Sequence, residues 1–353
     1  MTRHENTVSD VSSRPEPDAA GKPTSLWQIS GPSWSYILRR TLREFLRDDG
    51  LDLAAALTYY GVLAVFPALI ALVSLLGVLG QGPESVASIL EVARRLVPVE
   101  ALTIVQPVIE GLAASSSAGL ALVLGLLGAL WFVSAYIQAF GRAMNRVYEV
   151  EEGRPLPQLL AKTAVDTLLL GSLALCAVLM LLISGPVARA LGEVLGLGSR
   201  VLLLWGTLKW PVLALILAVV IAVLYYTSPN VRQPRFRWLS PGALLAIVVW
   251  LGGSLLFGLY VANFANYGAT YGSLAGGIVF LIWLWVSNLA LLLGAELDAE
   301  IERARELQAG IPAEVRLQLP VRDTRGSDRA AAKHAADVAA GQQIRERHSG
   351  LGC

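Results

Sequence analysis

Six long apolar runs dominate the chain, and more polar segments separate them. Each run has roughly the 20 residues that an α-helix needs to cross the hydrocarbon core of a bilayer. The predicted membrane spans cover residues 53–79, 119–140, 164–184, 201–226, 240–264 and 273–297. The link between the last two spans is short and polar, so we expect these two to form a transmembrane hairpin. The pattern therefore predicts an all-α, polytopic membrane protein with six transmembrane helices.

Shorter amphipathic segments accompany the spans. Residues 34–47 form a basic one, whose apolar helical face holds Trp34, Ile37, Leu38, Leu42, Phe45 and Leu46. A helix of this kind binds to an anionic membrane surface, although packing against the protein's own loops would explain the pattern equally well. The loop at 81–118 and the stretch at 187–195 carry further amphipathic patterns that are too short to span. The pieces in the loop are expected to lie at the outer interface or to cap the bundle, and the stretch at 187–195 is expected to form a short outer helix.

The two ends of the chain are predicted to be tails outside one membrane domain of residues 31–305. Residues 1–30 are rich in Pro, Ser, Asp and Glu without periodicity, which is typical of a disordered segment. Residues 306–353 are charged and Ala-rich, and we expect a short helical extension of the last span followed mostly by disorder.

Composition supports the membrane class independently of the pattern. Hydrophobic residues make up 55% of the chain and charged residues only 16%, which is too apolar for a soluble domain of this size. The two cysteines, Cys176 and Cys353, provide neither a disulfide framework nor a metal-binding set. No apolar signal segment precedes the first span, so residues 53–79 are expected to direct membrane insertion themselves.

Arginine and lysine residues alternate between the two sides of the predicted bundle. The stretch before the first span and the loop after the second span carry four each, and the loop after the fourth span carries three. The loop after the first span carries two, and the last link carries none. By the positive-inside rule, this alternation predicts that both termini lie in the cytoplasm.

Eight short motifs run through the spans: AAALTYY at 54–60, FP at 66–67, NRVY at 145–148, PN at 229–230, PG at 241–242, NF at 263–264, TYGSL at 270–274 and GAE at 294–296. Together with Phe257, Tyr260, Tyr267 and Trp283, they resemble the YihY/BrkB family of bacterial inner-membrane proteins over roughly residues 42–302. The resemblance implies six transmembrane helices, cytoplasmic termini and a location in the bacterial inner membrane. It does not imply a particular reaction, because the family is known more by its topology than by a proven reaction.

Enzyme signatures are absent from the predicted spans. The histidines His4, His334 and His348 all lie in the predicted tails, and the chain has no P-loop, Gly-x-Ser-x-Gly or Cys-x-x-Cys motif. Members of the resembled family have been labelled ribonucleases, but RNA hydrolysis usually needs histidines or clustered carboxylates with a metal. The basic loops are already explained by topology. We therefore expect no enzymatic activity, no cofactor, no metal and no nucleic-acid partner.

Polar side chains within or beside the spans are the candidate site, because burying them in lipid is costly and they usually face the interior of the bundle or a cavity. Gln138 and Asn145 share a face of the second span, and Asn288 and Glu296 lie on one side of the sixth. Asp166 lies near the cytoplasmic start of the third span, where the helix dipole favours a carboxylate. The candidate substrate-binding residues are Gln138, Arg142, Asn145, Arg146, Asp166, Asn288 and Glu296.

Two explanations fit these residues. They form interhelical hydrogen bonds that hold the bundle together, or they line a polar cavity open to the cytoplasm between the second, third and sixth spans. In the cavity, Arg142 or Arg146 would lie at the mouth and an anionic or zwitterionic head group would bind. The cavity predicts a transporter or flippase-like protein for a lipid or small solute. The alternative is a non-transporting scaffold or envelope-integrity protein, and membrane lipids are the expected partners of both.

The carboxylates Asp166 and Glu296 are predicted to lie at similar depth near the cytoplasmic face. An isolated charge at such a position is too costly to retain without a partner. We therefore expect these two carboxylates to approach each other or an arginine.

Overall fold

The computed structural model of the protein describes residues 14–78, 118–183, 188, 198–234, 240–263 and 274–349. Its helices are α1 (Gly31–Arg47), α2 (Gly50–Val78), α3 (Ala118–Val147), α4 (Leu156–Leu182), α5 (Ser199–Thr227), α6 (Pro241–Asn263), α7 (Leu274–Gln308) and α8 (Arg325–Ser349). A short 3-10 turn, Leu26–Gln28, precedes α1. The amphipathic helices expected in the loop at 81–118 and at 187–195 lie outside the described residues, apart from Ala188.

Six helices, α2 to α7, are long and apolar enough to cross a membrane, which confirms the six predicted spans. Three of them continue by seven residues or more beyond the predicted limits at one end of the bundle. α3 ends at Val147 instead of 140, α4 begins at Leu156 instead of 164, and α7 ends at Gln308 instead of 297. The added turns carry polar side chains, so an apolar pattern ends before them although the helical hydrogen bonds continue.

The first described residues and the segment that follows α7 lie at this same end of the bundle, which we call the terminal end. Arg14 donates a hydrogen bond to the carbonyl oxygen of Leu319 at 3.0 Å, and an isolated antiparallel bridge joins Val231 to Val321. The start of α2, the end of α3, the start of α4, the end of α5, the start of α6 and the end of α7 meet here. Successive spans are therefore antiparallel.

α6 and α7 cross at very short range near the terminal end. A Cβ atom added to Gly242 would lie 2.0 Å from the carbonyl oxygen of Gly294, and one added to Gly294 would lie 2.3 Å from the carbonyl oxygen of Gly242. Asp298 of α7 accepts a hydrogen bond from the backbone N–H of Gly242 at 2.7 Å and another from the hydroxyl of Ser240. A side chain of α7 therefore caps the first turn of α6.

The last turns of α7 are surrounded by two segments that lie far apart in the sequence. We call residues 14–30 and 311–323, which pack around these turns, the terminal collar. The Lys22 side chain, 1% exposed, lies with its Nζ atom 3.0 Å from a carboxylate oxygen of Glu302 and 3.4 Å from one of Glu306. In the second segment of the collar, residues 311–323, the backbone N–H of Gln318 donates a hydrogen bond to a carboxylate oxygen of Glu306 at 2.9 Å.

This arrangement differs from the expectation of disordered tails at 1–30 and 306–353 for the part that the structure describes. Residues 14–30 and 311–323 are packed, and α8 continues to Ser349 with no buried residue. The difference has a physical reason for residues 14–30: Lys22 pairs there with carboxylates about 280 residues away along the chain. The local composition of a segment cannot predict such distant pairs.

α1 lies across the terminal end and uses its two faces differently. Ile37 is fully buried and packs with Ile29, Leu297, Ile301 and Ala304. The other face keeps its leucines exposed, with Leu38 at 60%, Leu42 at 59% and Leu46 at 56%. One face of α1 therefore packs on the protein, whereas contact of the exposed leucines with lipid stays a prediction.

Replacing Lys22 by methionine is expected to release residues 14–30 from the bundle. The change keeps an apolar stem but leaves the buried carboxylates of Glu302 and Glu306 without their shared cation, which for a buried pair costs about 3–5 kcal/mol. Hydrogen exchange of residues 14–30, measured in lipid nanodiscs, should become faster. Lys333→Met, at an exposed position of α8, is the control. Unchanged protection in Lys22→Met would contradict the prediction.

Candidate functional site

Asn288 lies in the interior of the bundle and joins three spans. The hydroxyl of Tyr136 in α3 donates to Asn288 Oδ1 at 2.8 Å. Asn288 Nδ2 donates to Thr58 Oγ1 in α2 at 3.1 Å, and Thr58 in turn donates to the carbonyl oxygen of Ala54 at 2.8 Å. With both ends of its amide bonded, Asn288 links α2, α3 and α7 at a buried position.

Asn145 belongs to a polar network that joins the ends of α3 and α5 to the loop after α3. Asn145 Nδ2 donates to Glu152 at 3.0 Å, and its Oδ1 accepts the backbone N–H of Asn230 at 2.7 Å. Arg154 donates to Glu152 at 2.7 and 2.6 Å and to the carbonyl oxygen of Ser228 at 2.9 Å. Burial disfavours the Glu152 carboxylate, but the hydrogen bonds from Arg154 and Asn145 outweigh it, so the pKa of Glu152 lies below its usual value.

Asp166 lies beside this network within α4, ten residues after its first residue, Leu156. Its carboxylate is 2.5 Å from Lys162 Nζ and accepts the hydroxyl hydrogen of Thr227 at 3.1 Å. Thr227 precedes Ser228, whose carbonyl oxygen binds Arg154. The structure therefore brings two of the predicted site residues, Asn145 and Asp166, into neighbouring parts of one polar region. Asp166 pairs with a lysine here, where the sequence analysis expected Glu296 or an arginine.

Glu296 lies in α7, in a cluster of acidic side chains that is separate from the polar network of Asn145 and Asp166. It is 1% exposed, and its Oε2 atom has no hydrogen-bond partner among the described residues. Asp48, Glu300, Glu44 and Arg303 are its main electrostatic neighbours. Glu296 therefore does not face lipid, and no ion pair of the described residues includes it.

Arg146 lies at the edge of the acidic cluster. Its guanidinium is 3.8 Å from Asp48 and 2.6 Å from Asp49, the two residues that separate α1 from α2. Asp49 has a left-handed φ of 55°. Burial raises the pKa of Asp48 to about 6, because it disfavours the carboxylate more than Arg146 stabilises it. Arg146 therefore holds the junction of α1 and α2 to the end of α3.

The two remaining predicted residues take part in none of these groups. Gln138 is half-buried in α3, and Arg142 is exposed. The seven predicted residues therefore do not form one site. Asn288 bonds to Tyr136 and Thr58 in the interior, Asn145 and Asp166 lie in the polar network, and Glu296 and Arg146 lie in or beside the acidic cluster. Gln138 and Arg142 occupy separate positions of α3. The cavity expected between the second, third and sixth spans stays a prediction.

A recess that the sequence analysis missed opens at the terminal end between α5, α6 and α7. Its cavity volume is about 100 Å³. Its lining includes Thr24, Tyr225, Tyr226, Asp298, Glu302 and Arg305. The collar supplies one wall, and because residues 14–30 were interpreted as disordered, no signal in the sequence placed them beside α5 and α7.

Asp48 is expected to make the stability of the protein depend on pH. Because the folded state binds the Asp48 proton more tightly than the unfolded chain, this group stabilises the folded state below about pH 4, and its contribution is lost as the pH rises through about 6. Asp48→Asn should therefore show a smaller fall in melting temperature between pH 4 and pH 7 than the parent. The exposed Asp52→Asn is the matched control. Parallel pH profiles for Asp48→Asn and the parent would contradict the assignment.

Six apolar helices, with polar groups buried between them and at one end, define a polytopic helical membrane protein. Residues 41–316 match the family described as Virulence factor BrkB. The match covers most of the chain, and the protein belongs to this family.

Relatives support the same assignment. The chain is 31% identical over 270 residues to a ribonuclease-like protein, YfkH, of Bacillus subtilis (strain 168), covering 76% of this chain and 96% of that protein. It is 33% identical over 301 residues to a UPF0761 membrane protein of Alkalilimnicola ehrlichii, covering 80% of this chain and 63% of that protein. A UPF0761 membrane protein of Chromohalobacter salexigens is 31% identical over 292 residues, covering 80% of this chain and 68% of that protein. No solved structure matches the chain.

Proposed function

We propose that this multi-pass protein is a flippase-like transporter of the bacterial inner membrane that moves a lipid or a small polar or anionic solute. Both termini, and hence the terminal end, face the cytoplasm in this proposal. The excess of arginine and lysine in the loops of that end supports the orientation.

The observation that carries the proposal is the recess at the terminal end. Arg305 and the carboxylates of Asp298 and Glu302 all line it, so cationic and anionic groups lie in one concave site. A zwitterionic or phosphate-bearing head group offers both kinds of partner, with the guanidinium suited to phosphate oxygens. Glu302 and Arg305 are already paired with each other, so the ligand would exchange partners with this pair.

The recess also has an apolar side. Tyr225 and Tyr226 line it, and α5, which carries them, is among the six apolar helices. Sites that bind small molecules are concave and mostly apolar with a few placed polar groups. A site of this composition beside the spans suits an amphipathic ligand better than a fully hydrated ion.

Thr24→Trp is expected to slow transport because it fills the recess from the collar, where Thr24 is exposed and lines the opening. Ala20→Trp, an exposed collar residue outside the lining, is the control. The measurement is movement of a fluorescent lipid between the leaflets of reconstituted vesicles, and of an anionic solute in parallel. Transport by the parent and Ala20→Trp with a loss in Thr24→Trp would support the proposal. No transport by the parent under any tested gradient would favour the scaffold instead.

Ribonuclease activity is not part of the proposal, although one relative is named ribonuclease-like. Among the described residues, no group of three His, Cys, Asp or Glu side chains is placed to hold a metal ion. The positions of the acidic residues thus give no support to metal-assisted RNA hydrolysis. Incubation of the purified protein with RNA tests this directly, and hydrolysis that survives removal of contaminating nucleases would contradict it.

A further inference from the structure

Glu296 differs from every acidic side chain around it. Its residue is 1% exposed, and its Oε2 atom has no hydrogen-bond partner among the described residues. An ionised carboxylate removed from water is strongly unfavourable unless it is paired and hydrogen-bonded. The position of Glu296 therefore requires either a bound cation or a proton.

The neighbouring carboxylates already have cationic partners. Glu300 lies 3.1 Å from Arg40 and 3.0 Å from Arg303. The other two are also paired: Glu44 lies 3.5 Å from Arg40, and Asp48 lies 3.8 Å from Arg146.

The charged and titratable groups near Glu296 come from four parts of the fold. They are Glu44 of α1, Asp48 between α1 and α2, Tyr148 after α3, and Glu300 and Arg303 of α7 itself. Arg303 is committed to Glu300, Glu149 and a backbone carbonyl. Glu296 is thus the member of the cluster that is left without a countercharge among the described residues.

We propose that Glu296 is a proton-binding site: the carboxylate takes a proton from the aqueous side of the terminal end and holds it as a neutral carboxylic acid. The proton is favoured over a divalent metal because no three acidic, histidine or cysteine side chains of the described residues are placed to ligate one. Release of the proton returns a negative charge to a cluster of three carboxylates. The step is therefore linked to rearrangement of the Arg40, Arg146 and Arg303 ion pairs.

In the transport cycle this proton is the coupling ion, an assignment that rests on the proposed function, whereas proton binding itself does not. An acidic residue buried in a membrane protein is a recurrent device for proton relay. Occupancy of Glu296 would alter the junction of α1, α2 and α7, and α7 also forms a wall of the recess.

Infrared difference spectroscopy of the protein in lipid nanodiscs tests the site without a transport assay. The parent should show a protonated-carboxyl C=O band at neutral pH that disappears at high pH. Glu296→Gln should lack this band, and Glu314→Gln, at an exposed position of the collar, should keep it. The same band in Glu296→Gln as in the parent would overturn the proposal. Replacing potassium by sodium at constant pH should leave the band unchanged, and its loss would assign the site to sodium instead.

The thermal stability of Glu296→Gln provides a second, independent test of proton binding. Glutamine has the shape and neutral charge of the protonated acid, so the variant should fold and melt at or above the temperature of the parent at pH 7, with an advantage that grows as the pH rises. Failure to fold, or a lower melting temperature, would show that the carboxylate is needed and would overturn the proposal.

The vesicle assay separates the two proposals. A pH gradient should change the rate of the parent and leave that of Glu296→Gln unchanged. If the parent moves no substrate, the proposed function fails, while the infrared band still decides proton binding.

Discussion

Replacing Arg303 by methionine is expected to release residues 311–323 of the terminal collar and to destabilise the protein by about 3–5 kcal/mol, the typical cost of removing one partner from a buried ion pair. The Arg303 side chain is 1% exposed and lies 3.0 Å from both Glu300 and Glu149. It also donates to the carbonyl oxygen of Ala313 at 2.8 Å. One guanidinium thus ties α7 to the segment after α3 and to the collar, and methionine replaces none of these bonds.

The effect of Arg303→Met should appear as a lower melting temperature and as faster hydrogen exchange of residues 311–323 in nanodiscs. Arg329→Met is the matched control, because Arg329 lies exposed on α8 and surface substitutions usually change stability by less than about 0.5 kcal/mol. Arg303→Lys should recover only part of the loss, since an ammonium group cannot reproduce the planar fork of donors. Equal melting temperatures for Arg303→Met and Arg329→Met would show that the buried pairs do not hold the collar.

Gly242→Ala is expected to force α6 and α7 apart. The added Cβ would lie 2.0 Å from the carbonyl oxygen of Gly294 and 2.5 Å from the Asp298 side chain. The first of these is a backbone atom, so the contact cannot be relieved by a side-chain rotation alone. Overpacking of this kind costs about 1–3 kcal/mol and occasionally more, and separation of the helices also removes the cap that Asp298 provides to α6.

Gly252→Ala is the control for this change because it lies in the same helix and a Cβ there would meet nothing within 4 Å. It should be neutral or slightly stabilising, since alanine favours the helix over glycine by about 1 kcal/mol. The comparison requires the melting temperatures of both variants in the same lipid nanodiscs. If the two variants melt together, the close crossing of α6 and α7 does not limit stability.

Hydrophobicity alone was sufficient to determine the six spans. A helix of about 20 apolar residues satisfies its own backbone hydrogen bonds in lipid, so its location depends on nearby residues and can be recognised in the sequence. The amphipathic face of residues 34–47 was recognised for the same reason, and the buried side of α1 uses Ile37 and Phe45 from it. The prediction that polar residues of the spans turn inward holds for Asn145, Asp166, Asn288 and Glu296, which are all buried.

The partners of those residues were decided by the tertiary structure. Asp166 and Glu296 were expected to meet each other or an arginine, but Asp166 pairs with Lys162 one helical turn away, while Glu296 has no ion pair among the described residues. Periodicity shows which face of a helix a residue occupies, but not which neighbouring helix covers that face. The choice depends on how the spans are arranged around α7, and no local pattern contains this information.

The sequence by itself determined that this protein is an all-α membrane protein with six spans, because insertion into lipid depends on local hydrophobicity. Only the tertiary structure decided that residues 14–30 and 311–323 form a collar around α7, since Lys22 meets Glu302 and Glu306 across about 280 residues. The tertiary structure also decided where the recess lies and that Glu296 has no ion pair among the described residues. Both features arise where segments distant in the chain come together, and the energies that hold them are interactions between those segments.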